Sequence, residues 1–169
     1  MPISLTEANI YDPYDVYLFI IGNDRSRYAR LTDKINSLSE NLQDFIFNTV
    51  PGDFIKDRIS IPLNLNQNQS IEIAKIVLDI ILTDVYLGDI VSQNQQRVYI
   101  DEQKAKTTAG LIVAELFTPI LEELKKKHVE KFGKMMTQPQ KQSPLPQIQT
   151  QTQSQNGDET IDLRKEFKI

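Results

Sequence analysis

The chain has 169 residues, a length typical of a single domain, and its composition, 40% hydrophobic and 25% charged with a formal net charge of −4, is that of an ordinary globular protein. It contains no cysteine, which excludes a disulfide framework, a thiolate zinc site and a cysteine nucleophile. The net negative charge argues against non-specific nucleic-acid binding over the whole surface, because such binding relies on clustered lysine and arginine.

Targeting and membrane segments are not indicated by the sequence. The first residues have neither a basic start nor an apolar run. The most hydrophobic stretch, 71–87, carries charged side chains and is shorter than the roughly 20 apolar residues of a membrane span. We therefore predict a cytoplasmic protein without membrane association.

The N-terminal part of the chain predicts one ambiguous segment and one long helix. Residues 16–21 have strong strand propensity, yet Asp12-Pro13 before them and Gly22 after them are helix-boundary signals. A helix is predicted from about residue 24 to residue 50, ended by Pro51-Gly52. Its apolar residues are spaced like a heptad seam, which we expect to pack inside the same domain rather than against another chain. These seam residues are Tyr28, Leu31, Ile35, Leu38, Leu42 and Phe45.

Two later segments predict at most a small β element. Apolar residues alternate with others over 58–65, a strand pattern that Pro62 confines to a sheet edge, and 97–100 could pair with it. If both segments and 16–21 were strands, the order would be βαβαβα and the class α/β, which we keep as the alternative.

The second predicted helix, 70–87, is apolar nearly all round, with Ser70 as its N-cap and Gly88 after its end. Its polar residues form one narrow stripe. A helix of this kind is buried on most sides, so we predict that it is the central helix of the domain. The stripe consists of Glu72, Lys75, Asp79 and Thr83.

A third helical region, 101–134, contains Pro119, which removes a backbone hydrogen bond and predicts a kink or a restart with Thr118 as N-cap. One face should point into the core. Its residues are Ala109, Val113, Leu116, Ile120 and Leu124.

The C-terminal part changes composition near Met136. Residues 137–157 are rich in Gln, Pro, Ser and Thr, which predicts a disordered linker. Apolar residues return in the peptide 158–169, which we interpret as a candidate docking motif, binding as a short helix or an added strand; an incidental tail is the alternative. The residues expected to contact a partner are Ile161, Leu163, Phe167 and Ile169. The domain organisation is thus a helical core, 1–136, a linker and a peptide.

Signals for catalysis and metal binding are weak. Every glycine stands alone, so no phosphate-binding loop is predicted. The single histidine, His128, follows three lysines, and we expect it at a solvated helix end. We interpret a group of carboxylates as polar helix edges rather than Mg²⁺ ligands, and predict no catalytic, metal or cofactor-binding residue. These carboxylates are Asp79, Asp84, Asp89, Asp101 and Glu102.

Two basic regions remain, one on the first long helix and one near the end of the last. We expect solvated helix faces, with binding of a nucleic-acid backbone as the alternative. The residues concerned are Arg27, Arg30, Lys34, Lys125, Lys126, Lys127 and Lys131.

Together these patterns predict a mainly α domain built around the helix at 70–87. The function that fits them is a non-enzymatic interaction or adaptor subunit of a larger assembly, whose partners are other protein subunits. The alternative is a small, helical subunit of a ribonucleoprotein complex that binds the nucleic-acid backbone.

Overall fold

The computed structural model describes residues 10–136, with side chains as far as Gly133. This part of the chain is mainly α-helical and has no strand. The predicted linker, 137–157, and terminal peptide, 158–169, lie outside the described residues. The α-helices are α1 (Pro13–Ile21), α2 (Arg25–Asn36), α3 (Glu40–Phe47), α4 (Val50–Phe54), α5 (Gln67–Ile81), α6 (Ile90–Val98), α7 (Glu102–Leu111) and α8 (Leu121–Met136).

Helix α1 shows that local boundary signals outweigh strand propensity in the ambiguous segment. The Asp12 carboxylate accepts hydrogen bonds from the backbone N–H groups of Tyr14 and Asp15, each at 2.9 Å. Gly22 ends the helix at φ +54°, a conformation that residues with a Cβ rarely adopt. The segment is therefore a helix, and the α/β alternative is wrong.

The single helix predicted over 24–50 is also wrong, because the chain forms α2, α3 and the start of α4 instead. Side chains at the breaks bond the backbone and compete with helical hydrogen bonds. Ser37 donates to the carbonyl of Lys34 at 2.6 Å, and the Asn48 amide oxygen accepts from the N–H of Val50 at 2.9 Å. Pro51 lies in the first turn of α4 and does not end a helix.

The predicted seam packs inside the domain over most of its length. Leu31, Ile35, Leu42 and Phe45 are buried although they lie on two separate helices. Tyr28 is the exception, since half of it is exposed to solvent.

The predicted β element, 58–65 with 97–100, is wrong. A π-helical turn, Ile55–Ser60, continues α4, and Arg97 and Val98 end α6. The alternating pattern fails because it does not mark one buried face: Ile59 is fully buried whereas Ile61 is 61% exposed.

Helix α5 is the central helix, as the sequence predicts. Its apolar side chains are almost completely buried, and α1 and α6 pack against it. Its ends differ from the prediction. Asn66 caps it, exchanging hydrogen bonds with Gln69 in a capping box, so Ser70 is not the N-cap. The helix ends before Thr83, whose φ is +57°, and not at Gly88.

The third helical region breaks near Pro119, as predicted. A π-helical turn, Ile112–Leu116, follows α7, and a short 3-10 turn, Thr118–Ile120, leads into α8. Thr118 is not an N-cap, because its hydroxyl donates to the carbonyl of Ala114. The predicted inward face is correct: Val113 is partly buried and the other members are buried. None of the described helices has the length and apolar character needed to cross a lipid bilayer.

Candidate functional site

The polar stripe of α5 forms a cluster of ion pairs with a residue of α6. Arg97 donates to Asp79 at 2.8 Å and to Glu72 at 3.3 Å, and Lys75 donates to Glu72 at 2.5 Å. The side chains of Arg97 and Asp79 are only 24% and 13% exposed. Sequence reasoning identified the stripe but missed Arg97, since nothing in the local sequence of α6 shows that it faces α5.

Tyr17 of α1 joins this cluster. Its pKa is raised to about 12, first by burial, then by the negative charges of Asp79 and Asp84 and by a hydrogen bond to Asp79. The phenol therefore stays protonated at neutral pH and donates to the carboxylate. Asp79 is thus held by two partners, Arg97 and Tyr17, and its charge is largely balanced.

A cleft of about 330 Å³ lies above this cluster, between α1, α2 and α5. Its apolar part comes from Ile20, Leu31 and Leu82 among others. Four cations line it, and Asp79 is the only carboxylate among its lining residues. We call it the cationic cleft; the four cations are Arg27, Arg30, Lys34 and Lys75.

The predicted basic face of α2 is exposed, as a solvated helix face would be, and its three residues also line the cleft. Arg27 forms an exposed ion pair with Asp24 at 3.3 Å. Arg30 donates to the carbonyl of Ser26 at 3.3 Å and forms no ion pair with any other described residue. It is the cation of the cleft whose charge is least compensated.

Part of the second basic region lies next to the first in the structure. Lys34 of α2 and Lys131 of α8 lie 2.6 Å and 3.8 Å from the carboxylate of Asp84. Lys131 also donates to the carbonyl of Thr83 at 2.5 Å. A pocket of about 320 Å³ beside the cleft is lined by Lys34, Lys127 and Lys131 together with Glu130. Lys34 belongs to both pockets, so five of the predicted basic residues form one strip: Arg27, Arg30, Lys34, Lys127 and Lys131.

The other two lysines of the second region do not line either pocket. Lys125 pairs with Glu122 of its own helix at 2.9 Å, and both side chains are exposed. Lys126 is exposed as well. The structure therefore supports the solvated-face interpretation for these two residues.

His128 is buried, with 2% of its surface exposed, so the prediction of a solvated helix end is wrong. Its Nδ1 accepts from the N–H of Leu87 at 3.1 Å, and its Nε2 lies 2.8 Å from the carbonyl oxygen of Ile80. These bonds require a neutral ring with the proton on Nε2. Burial, together with the nearby charge of Lys131, lowers the pKa of His128, against the hydrogen bond to Ile80, which raises it. Both ring nitrogens are bound to the backbone, which gives the histidine a structural role linking α5 and α8.

An exposed group of aromatic rings was not identified from the sequence. The rings of Tyr14 and Phe47 meet edge to face with centroids 5.0 Å apart. Burial and the neighbouring Tyr28 and Asp15 raise the pKa of Tyr14, which places Tyr28 beside it. Tyr28 is 50% and Phe47 56% exposed. We call these three residues the aromatic patch. The apolar spacing predicts Tyr28 as a member of the buried seam, whereas the structure leaves it at the surface.

Metal-binding groups and relatives give no further indication of function. Within residues 10–136, no three His, Asp or Glu side chains lie close enough together to hold a metal ion. The four predicted partner-binding residues of the terminal peptide lie outside the described residues. The chain matches no protein-family model, no curated protein and no solved structure.

Proposed function

We propose that this protein is a non-enzymatic interaction subunit, an adaptor that holds one or more protein partners within a larger cytoplasmic assembly. The aromatic patch carries the proposal. Aromatic side chains are enriched in protein interfaces, and contiguous exposed apolar patches mark interaction sites. The absence of cysteine is in keeping with a reducing compartment.

The geometry of the patch favours recognition of a partner. Tyr14 of α1 contacts Phe47 of α3 edge to face and lies close to Tyr28 of α2, so the patch is built from three helices. Rings that are already ordered lose little conformational entropy when a partner binds them. Phe19 and Ile20 of α1 are also more than 40% exposed.

A second contact is proposed at the terminal peptide. Ile161, Leu163, Phe167 and Ile169 would bind a groove on a partner, tethered to the core by the 137–157 linker. Replacing Leu163 and Phe167 by alanine should then reduce recovery of that partner while the core stays folded. Unchanged recovery of every partner would contradict this part of the proposal.

The aromatic patch is tested by affinity purification of the tagged full chain from its native host, with nuclease treatment in one arm. The double variant Tyr28→Ala/Phe47→Ala should lose the nuclease-resistant partners that the unmodified chain retains. Tyr99→Ala is the matched control, because Tyr99 is 85% exposed and lies outside the patch. Equal recovery with the patch variant and the control would contradict the proposal.

A second candidate function is binding of a nucleic-acid backbone in a ribonucleoprotein complex. The strip formed by Arg27, Arg30, Lys34, Lys127 and Lys131 favours it, since it combines cations of two distant helices. Affinity for a labelled single-stranded oligonucleotide should then fall steeply between low and physiological salt. Binding that is absent, or insensitive to salt, would contradict this candidate.

A further inference from the structure

We infer that the cationic cleft binds an acidic segment of the protein partner, with a carboxylate side chain between the cations and an apolar side chain beside it. The inference rests on the proposed function and names the chemistry of the partner. It is carried by the charge of the cleft: four cations and one carboxylate line a cavity of about 330 Å³.

The single carboxylate does not neutralise the cleft. Asp79, the one carboxylate of the lining, is paired with Arg97 at 2.8 Å, which already compensates its charge. Arg30 has no carboxylate partner among the described residues. An anion entering the cleft would therefore meet a guanidinium whose charge is uncompensated.

Two further cations can change partners easily. Arg27 and Lys34 form ion pairs with Asp24 and Asp84, and the side chains of both cations are about half exposed or more. Exposed pairs contribute little stability, so exchanging one carboxylate for another costs little. Arginine binds carboxylates with two parallel hydrogen bonds, which gives the recognition a defined orientation.

The surroundings favour a peptide over a nucleic-acid strand. The chain has a net charge of −4, and Asp24 and Asp84 pair with two of the cations, so the positive charge left uncompensated at the cleft suits a single carboxylate better than a continuous run of phosphates. The apolar wall includes Ile20, which is 43% exposed, and suits an aliphatic side chain.

The test uses the full-length chain and labelled peptides in which glutamates surround a single Leu, Ile or Phe. The matched probes replace every Glu by Gln, and a single-stranded oligonucleotide is the third probe. Fluorescence anisotropy at low and physiological salt should show binding of the acidic peptides and not of the Gln peptides. Arg30→Glu should weaken that binding about tenfold or more, because a charge-assisted pair becomes a repulsion.

Lys104→Glu is the control with the same charge change, since Lys104 is exposed, outside the cleft and in the first turn of α7. It should leave binding unchanged, and circular dichroism should show both variants folded. Equal losses in both variants, or acidic peptides that do not bind, would overturn the inference while leaving partner capture by the aromatic patch intact. Binding of the oligonucleotide alone, lost in Arg30→Glu, would overturn it in favour of the nucleic-acid candidate.

Discussion

Lys34 of α2 and Lys131 of α8 approach the same carboxylate, that of Asp84, at 2.6 Å and 3.8 Å. Through this shared partner, α2 and α8, which are far apart in the sequence, contribute to one surface. The shared carboxylate also places two lysines close together that would repel each other without the carboxylate between them. The strip of cations continues from the cationic cleft to Lys127 and Lys131 through this contact.

Asp84→Asn should change the stability of the fold little while it changes the affinity for the acidic peptides. The three side chains are 29–49% exposed, so we expect the free energy of unfolding to fall by only about 0–1 kcal/mol. Affinity for the acidic peptides should rise, because the surface loses one negative charge. Urea unfolding and anisotropy measure the two effects, with Asp57→Asn, an exposed carboxylate outside both pockets, as control. A fall in affinity would show that Asp84 positions the lysines.

His128 should make stability depend on pH in a defined window. Burial lowers the pKa of His128 in the folded protein below its usual 6.5, so the unfolded chain binds the proton more readily. Stability rises with pH wherever the unfolded state holds more protons. This contribution is therefore complete above pH 6.5 and is lost as the pH falls from 6.5 towards the lower pKa of the folded state.

The pH effect is measured as the urea midpoint at a series of pH values above the range in which carboxylates titrate. His128→Gln lacks the titrating group and should flatten the curve below pH 6.5. A curve that keeps the same slope in this variant would assign the pH dependence to other groups.

Central helix α5 should tolerate no large-to-small substitution. Ile80 and Ile81 are 0% and 1% exposed. Replacing either by alanine should lower the free energy of unfolding by about 2–5 kcal/mol, because a cavity remains in the core. Val129→Ala removes part of a side chain that is 68% exposed. This variant should change the free energy of unfolding by less than about 0.5 kcal/mol. Chemical denaturation of the three variants makes the comparison, and indifference to both core substitutions would contradict the central position of α5.

Arg97 should stabilise the junction of α5 and α6. Arg97→Met keeps much of the side-chain volume but leaves Asp79 and Glu72 without their shared cation. The loss should be about 1–3 kcal/mol, the cost of a poorly satisfied, largely buried polar group. Asp79→Asn combined with Arg97→Met should recover part of the loss, since the uncompensated charge is removed. If the double variant recovers nothing, the stability lost in Arg97→Met comes from the packing of the arginine stem and not from its charge.

Several features of the fold could be predicted from local sequence because their causes are local. Asp12 and Gly22 define the ends of α1, and Pro119 interrupts the last helical region. The nearly continuous apolar surface of α5 requires burial on most sides whatever packs against it. The strand prediction at 58–65 failed because alternation over a few residues is short enough to occur in helical and turn conformations as well.

The sequence by itself determined that this protein is mainly helical, that α5 is its central helix and that residues such as Arg27, Arg30 and Lys34 share one helix face. Only the tertiary structure decided three other features. Lys34 and Lys131 share the carboxylate of Asp84, His128 is buried against the backbone of Ile80, and Tyr28 remains exposed. The physical reason is the range of the interactions. Helix caps, breaks and amphipathic faces depend on residues a few positions apart, whereas the position of a side chain relative to distant helices depends on how all of them pack around the core.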